Sequence, residues 1–134
     1  MASIGERNPN KSLERMIAIL KQEVPWYIYI VANHTKKQIY IGVVKDRGTK
    51  NNPAGPKVSV NDRFRLHCKG DTKALEHWMC DIDDLDLLCV FESDKQEYAS
   101  EFAHKLERDM RLLKKQCRNI SKCPGYEVIE TSGT

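Results

Sequence analysis

Trp26 to Gly42, which reads WYIYIVANHTKKQIYIG, is the stretch that decides the fold. It holds two short runs rich in tyrosine and isoleucine, and a polar loop separates them. Because β-branched and aromatic side chains pack well on a pleated surface, the stretch predicts a β-hairpin. With the loop at Asn33 to Lys36, Tyr29 is expected opposite Tyr40, the β-carbons about 5 Å apart. Gly42 then lets another group approach closely. An aromatic pair in a core hairpin would leave the same pattern.

The composition indicates one globular domain. The chain has 134 residues, of which 31% are charged and 40% hydrophobic, enough for a single core. It contains no apolar run of about 18 residues, so no membrane span is expected. Residues 1–11 lack the apolar segment of a signal peptide, which predicts an intracellular protein, cytoplasmic or nucleoid-associated. The net charge of +3 is compatible with a nucleic-acid partner.

The cysteines predict free thiols. Five are present, the number is odd, and no CxxC pair occurs, which favours a reducing compartment. A zinc site built from His67, Cys68, His77 and Cys80 is an alternative, but their spacing fits no common zinc module.

The remaining elements follow from periodicity and capping. Ser12 is expected to cap a packing helix that Pro25 ends, and Leu85 to Phe91 is expected to be a third, buried strand. Ser59, with Asp62 three residues on, resembles a capping box that opens a short helix. A second short helix is predicted at Thr72 to Met79, a long helix from Ser93 or Asp94 to about Cys117, and a short edge strand at Tyr126 to Ile129. The predicted apolar stripe of the long helix is Tyr98, Phe102, Leu106, Met110 and Leu113.

A basic segment follows the hairpin. Lys45 to Val58 contains two glycines and two prolines, too many for a regular element. Its basic residues are Lys45, Arg47, Lys50 and Lys57, against the single acid Asp46. Two interpretations stay open: a solvated surface loop, or a flexible arm that binds the phosphates of a nucleic acid.

Three motifs together resemble the GIY-YIG nucleases. Tyr29, followed eleven residues later by Tyr40-Ile41-Gly42, is similar to the family's paired motif, with Tyr27 in place of its first glycine. The resemblance implies an α/β (α+β) fold with a small three-stranded antiparallel sheet flanked by helices. It also implies a DNA endonuclease that depends on Mg²⁺ or Mn²⁺. The domain would span residues 25–130, after a tail and helix at 1–24 and before a loose tail at 131–134.

The second motif is RFRLH, Arg63 to His67, in which the arginine and the histidine share one helix face. By resemblance Arg63 would hold the scissile phosphate and His67 would assist proton transfer, while Tyr29 and Tyr40 act near the nucleophile. An arginine fork holds two phosphate oxygens and keeps its charge. Arg63 lies farther beyond Gly42 than is usual in the family, so Arg47 stays an alternative.

The third motif is AHKLERDM, Ala103 to Met110, which by resemblance selects Glu107 as the metal carboxylate. Glu101 and Glu97 are the alternatives on the same helix. A separate cluster of acids at Asp81, Asp83, Asp84 and Asp86 could also bind metal, although such a cluster more often marks a polar connection. The family's C-terminal asparagine has no clear counterpart, since Glu127 follows Gly125-Tyr126 and Asn119 lies outside that context.

The sequence therefore leaves two functions of different classes open. The first is a divalent-metal-dependent DNA endonuclease whose specificity or double-strand cleavage would need a homodimer or a protein partner. The second is a non-catalytic module on the same fold that binds nucleic acid or a protein.

Overall fold

The computed structural model describes residues 24–69, Leu75 and residues 77–131. The predicted N-terminal helix, half of the predicted helix at Thr72 to Met79, and residues 132–134 lie outside this part of the chain. Trp78 and Met79, which are described, are not helical. No helix in the described ranges is long and apolar enough to cross a bilayer.

The predicted hairpin is present, but its predicted register is wrong by two residues. Strand β1 is Trp26–Asn33 and strand β2 is Gln38–Lys45, and Tyr29 lies opposite Gly42 rather than Tyr40. Asn33 is the last residue of β1 and not a loop residue, because its side chain donates to Asp83 and accepts from the Lys36 N–H. A shift of two residues leaves every side chain on its expected face.

The sheet has four strands rather than the predicted three, because the short edge strand predicted at Tyr126 to Ile129 is present and joins it. Strand β3, Leu85–Ser93, pairs antiparallel with β1, and strand β4, Glu127–Val128, pairs parallel with β2. The order is β3-β1-β2-β4. The pairing of β4 with β2 covers only Gln38 and Ile39, and the rest of this edge of β2 has no strand beside it in the described residues.

Helices flank the sheet, as the sequence predicted, and each face has its own apolar cluster. One face carries Ile28, Ile30 and Ile41 and packs against the C-terminal helices. The opposite face carries Tyr29, Tyr40 and their neighbours and packs against Val60, Phe64 and Trp78. The alternation of side chains along the strands therefore sends the tyrosines to one layer and the isoleucines to the other.

Helix α1, Pro56–Cys68, covers the tyrosine face and begins four residues earlier than predicted, with Gly55 rather than Ser59 at the N-cap. Pro56 is its first residue, where a fixed φ and the missing N–H cost nothing. Ser59 is consequently not a cap: it lies buried within the helix, and its hydroxyl accepts from the Arg47 N–H.

The single long helix that was predicted is broken in two. Helix α2 is Gln96–Arg108 and helix α3 is Met110–Gln116, followed by a 3₁₀ helix at Arg118–Lys122. Asp109 between them is extended, and its carboxylate caps α3 by accepting from the N–H groups of Arg111 and Leu112. The predicted stripe is wrong at Tyr98 and Met110, which are 56% and 41% exposed: in α2 the smaller Ala99 and Ala103 are buried instead, and Met110 begins a separate helix.

The prediction of free thiols is wrong for two of the five cysteines. Cys68 at the end of α1 and Cys80 form a disulfide, with their Cα atoms 5.7 Å apart. Pairing depends on the distance between Cα atoms in the folded chain, which the spacing of cysteines in the sequence does not give. The bond removes the cysteine argument for a reducing compartment, and it also removes both thiolates from the suggested zinc site.

Asp46 organises the basic segment after β2. Its carboxylate is 4% exposed and accepts from the N–H groups of Gly48, Ala54 and Gly55, and from the Tyr27 hydroxyl at 2.7 Å. Burial alone would raise the pKa of Asp46, but these four hydrogen bonds outweigh it and hold the pKa below its usual value. The only acid of the segment therefore holds the two ends of the loop together, because it binds Gly48 at one end and Ala54 and Gly55 at the other.

We expect Asp46→Ala to lower the free energy of unfolding by about 3 kcal/mol, since it leaves buried donors without an acceptor. In the wild type the folded pKa is depressed, so this stabilisation is present above the unfolded value of about 3.9 and is lost as the pH falls through the folded value. The free energy of unfolding, measured with urea between pH 7 and pH 3, should therefore fall less steeply with decreasing pH for Asp46→Asn than for the wild type. The exposed Asp94→Asn is the control, and an equal change in both variants would contradict the role of Asp46.

Candidate active site

The tyrosine face of the hairpin supplies the first two site residues. The Tyr29 side chain is fully buried, and its ring lies against Gly42. A β-carbon built on Gly42 would lie 2.3 Å from Cζ of Tyr29 and 2.7 Å from Cε2 of Tyr40. Only a glycine allows this approach, as the sequence predicted. The two phenol rings are diagonal neighbours on the sheet, with centroids 6.0 Å apart.

Helix α1 brings the arginine and the histidine to this face. His67 is buried, and its Nε2 shares a hydrogen bond of 2.8 Å with the Tyr29 hydroxyl, the donor depending on the histidine tautomer. The His67 ring also meets the Tyr40 ring edge to face at 5.3 Å between centroids. Arg63, one turn earlier, is half-buried and close enough to interact electrostatically with both tyrosines.

The environment keeps both phenols protonated at neutral pH. Burial raises the pKa of Tyr29 well above its usual value, the neighbouring Tyr40 adds to the rise, and Arg63 opposes it. Burial likewise raises the pKa of Tyr40; the Tyr29 hydroxyl and Arg63 oppose this rise, and the charge of Glu107 adds to it. Both side chains are therefore protonated phenols in the resting protein, which donate and accept hydrogen bonds, and not phenolates.

Glu107 comes from α2, in the layer on the other side of the sheet. Its carboxylate is 8% exposed and lies near enough to Tyr40 to influence the Tyr40 pKa. Oε1 accepts a hydrogen bond of 2.5 Å from the Thr131 hydroxyl, whereas Oε2 is buried and has no hydrogen-bond partner in the described residues. A buried carboxylate oxygen without a partner is costly, so this atom is suited to a cation.

The site offers a divalent cation a single carboxylate ligand, Glu107. Among the described residues no group of three or more histidine, cysteine, aspartate or glutamate side chains surrounds a common point. Mg²⁺ keeps several of its waters and binds through one or two carboxylates together with substrate phosphates. A single carboxylate with a vacant oxygen, such as Glu107, meets that requirement.

The four basic residues predicted to bind nucleic acid lie outside this cluster. Lys45, Arg47, Lys50 and Lys57 are all exposed, on or beside the loop that Asp46 closes. Arg47 is exposed, and the arginine that interacts with both tyrosines is Arg63.

The alternative carboxylates also lie elsewhere. Glu101 is exposed and pairs with Lys105 at 3.3 Å, and Glu97 is exposed near the start of α2. Asp83 is buried and accepts from Asn33 and from the Met79 N–H, while Asp86 pairs with His34. The aspartate cluster therefore supports the β1–β2 turn and the entry to β3.

Two side chains near the site were missed by the sequence analysis. Thr131 was assigned to a loose tail, yet its hydroxyl holds Glu107. Tyr27, which stands where the related motif has a glycine, donates its hydroxyl to Asp46 and anchors the loop. The solitary acid in a basic, glycine-rich segment was the signal for the second contact; nothing local signalled the first. Asn119 donates to the Leu88 carbonyl and belongs to the opposite layer.

No protein-family model matches the chain, and searches of characterised proteins and of solved structures also returned no match.

Proposed function

We propose that this protein is a divalent-metal-dependent endonuclease that hydrolyses DNA phosphodiester bonds through a site of the GIY-YIG type. One observation carries the proposal. The carboxylate of Glu107 is buried with one oxygen unpartnered, and it lies near a cluster in which Tyr29, Tyr40, His67 and Arg63 interact. These five residues come from four separate elements, β1, β2, α1 and α2, and are the residues that the resemblance selects.

Hydrolysis of a phosphodiester requires that the charge on the phosphate be neutralised, that a water be oriented for attack and that the leaving oxygen be stabilised. Glu107 would hold the cation through Oε2, while Thr131 fixes the other oxygen and so the orientation of the carboxylate. When bound, Mg²⁺ or Mn²⁺ supplies positive charge at the phosphate and polarises an oxygen ligand.

Arg63 is suited to the phosphate. Its planar guanidinium presents paired donors that match two phosphate oxygens, and it stays charged at any working pH. It is half-buried beside two phenols, and partial exclusion of water strengthens its attraction for an anion.

Tyr29, Tyr40 and His67 would position the attacking water. Since burial raises the pKa of both tyrosines, each hydroxyl acts as a donor and acceptor of hydrogen bonds and not as a standing base. The bond between Tyr29 and His67 fixes one hydroxyl and one ring nitrogen relative to each other. A proton leaving the water could pass through such a pair during attack.

The test is cleavage of supercoiled plasmid with Mg²⁺ or Mn²⁺. The wild type should give nicked or linear product that EDTA abolishes. We expect Arg63→Lys to lower the rate about 100-fold, because the ammonium keeps the charge but loses the planar fork. Arg65→Lys, an exposed residue on the same helix, is the matched control and should cut at the wild-type rate.

Equal rates for the two lysine variants would contradict the role of Arg63. Salt-sensitive DNA binding by the wild type without any cutting would favour the non-catalytic binding module.

A further inference from the structure

The C-terminal helices carry a net positive charge larger than that of the whole protein. Residues 105–122 hold seven of the 22 lysines and arginines but only two of the 19 acids. Their local net charge of +5 exceeds the +3 of the whole chain, so the rest of the chain is net negative. All seven basic side chains are exposed. We call the lysines and arginines of residues 105–122 the helical basic surface.

The two acids of this stretch do not neutralise it. Glu107 is buried and accepts from Thr131, and Asp109 accepts from two backbone N–H groups at the start of α3. Lys105 pairs with Glu101 of the preceding turn. The other six make no ion pair within the described residues: Arg108, Arg111, Lys114, Lys115, Arg118 and Lys122.

A groove runs beside these side chains. It has a volume of about 600 Å³ and lies between α3, the 3₁₀ helix and the turn before β4. Lys114 and Arg118 stand on its wall together with Met110 and Tyr126, so cations and apolar surface face the same space. Sugar–phosphate chains offer the matching combination of negative charge and apolar sugar edges.

The groove lies on the side of the sheet that carries α2 and Glu107. Ile39, which lines the groove, belongs to the isoleucine face, against which the C-terminal helices pack. Met110, on the wall of the groove, follows Glu107 by three residues. The groove therefore begins close in the chain to the carboxylate of the candidate site.

We propose that the helical basic surface and its groove bind the phosphate backbone of DNA and lead one strand toward Glu107. The direction toward Glu107 rests on the proposed function, whereas the binding itself does not require cleavage. The surface lies on α2, α3 and the 3₁₀ helix, so the backbone positions of its basic residues are fixed relative to one another.

The experiment measures anisotropy of a fluorescein-labelled DNA duplex of about 30 base pairs, in EDTA, over a range of salt. The triple variant Lys114→Gln, Arg118→Gln, Lys122→Gln should bind at least about 10-fold more weakly. Its slope of log affinity against log salt should fall by about 2 to 3, since each lost phosphate contact contributes about 0.9. Glutamine has a helix propensity close to that of lysine and arginine, so the fold should be kept.

A second triple variant controls for net charge: Lys36→Gln, Lys69→Gln, Lys95→Gln, all exposed and outside the helical basic surface. It should keep most of the affinity and the slope. Equal losses in both variants would overturn the proposal, as would binding to vesicles of anionic lipid in place of the duplex. Binding that depends on the helical basic surface in a protein that cuts no plasmid would leave this proposal standing and refute the nuclease.

Discussion

Glu107→Gln should lower the rate of plasmid cleavage at least about 1,000-fold, which corresponds to about 4 kcal/mol in the barrier. The amide keeps the size of the side chain and an oxygen for Thr131, but it removes the negative charge that a divalent cation requires. Oε2 has no protein partner, so its replacement breaks no hydrogen bond in the described residues. The free energy of unfolding should therefore stay within about 1 kcal/mol of the wild type.

Glu101→Gln is the matched control on the same helix. Glu101 is exposed and makes only a surface pair with Lys105, which is worth less than about 1 kcal/mol. Cleavage and stability should both remain near the wild-type values. Melting curves with added Mn²⁺ give a readout besides activity: the wild type and Glu101→Gln should be stabilised, and Glu107→Gln should not. Cutting that survives Glu107→Gln would move the metal site to Glu101 or the aspartate cluster.

Gly42→Ala should destabilise the fold by about 3 kcal/mol, the upper part of the range for an overpacked core. The new methyl would lie 2.3 Å from Cζ and 2.4 Å from the hydroxyl oxygen of Tyr29. Tyr29 cannot easily give way, because its side chain is fully buried and bonded to His67. Displacing the ring would also move the hydroxyl, so nuclease activity should fall with stability. Urea unfolding and the plasmid assay measure the two effects.

The sign of the stability change caused by Gly42→Ala shows whether the Tyr29 ring lies across Gly42. In an open strand position, alanine in place of glycine stabilises by about 0.4 to 1 kcal/mol through the unfolded chain. A neutral or stabilising result would therefore mean that the Tyr29 ring does not lie across Gly42. A double-mutant cycle with Tyr29→Leu gives a second test, since the shorter side chain should relieve the clash. The double variant should then be more stable than the sum of the single effects predicts.

The disulfide between Cys68 and Cys80 could not be predicted from the sequence. Cys68 follows His67 on α1, and Cys80 follows Trp78, which packs edge to face on Tyr40 at 6.4 Å between centroids. Nothing in the spacing of five cysteines selects this pair. It follows from the packing of α1 and the Trp78 segment on the same face of the sheet.

The sequence by itself determined the local features of this protein. Alternating apolar residues define β1 and β2, and because side chains repeat every two residues, Tyr29 and Tyr40 share a face despite the error in register. Gly42 predicted that another group packs closely against the strand, and the four-residue spacing of Arg63 and His67 predicted that both lie on one side of a helix. These inferences need only the period of a strand or a helix.

Only the tertiary structure decided the contacts between distant segments. The parallel pairing of the predicted edge strand with β2, the closure of the loop by Tyr27 and Asp46, and the bond from Thr131 to Glu107 each join residues at least 19 positions apart. The break at Asp109 depends on its capping of α3, which competes with continuation of one helix. Such contacts form because buried polar groups must find partners, and the partner available is fixed by the packing of the sheet and not by the neighbouring sequence.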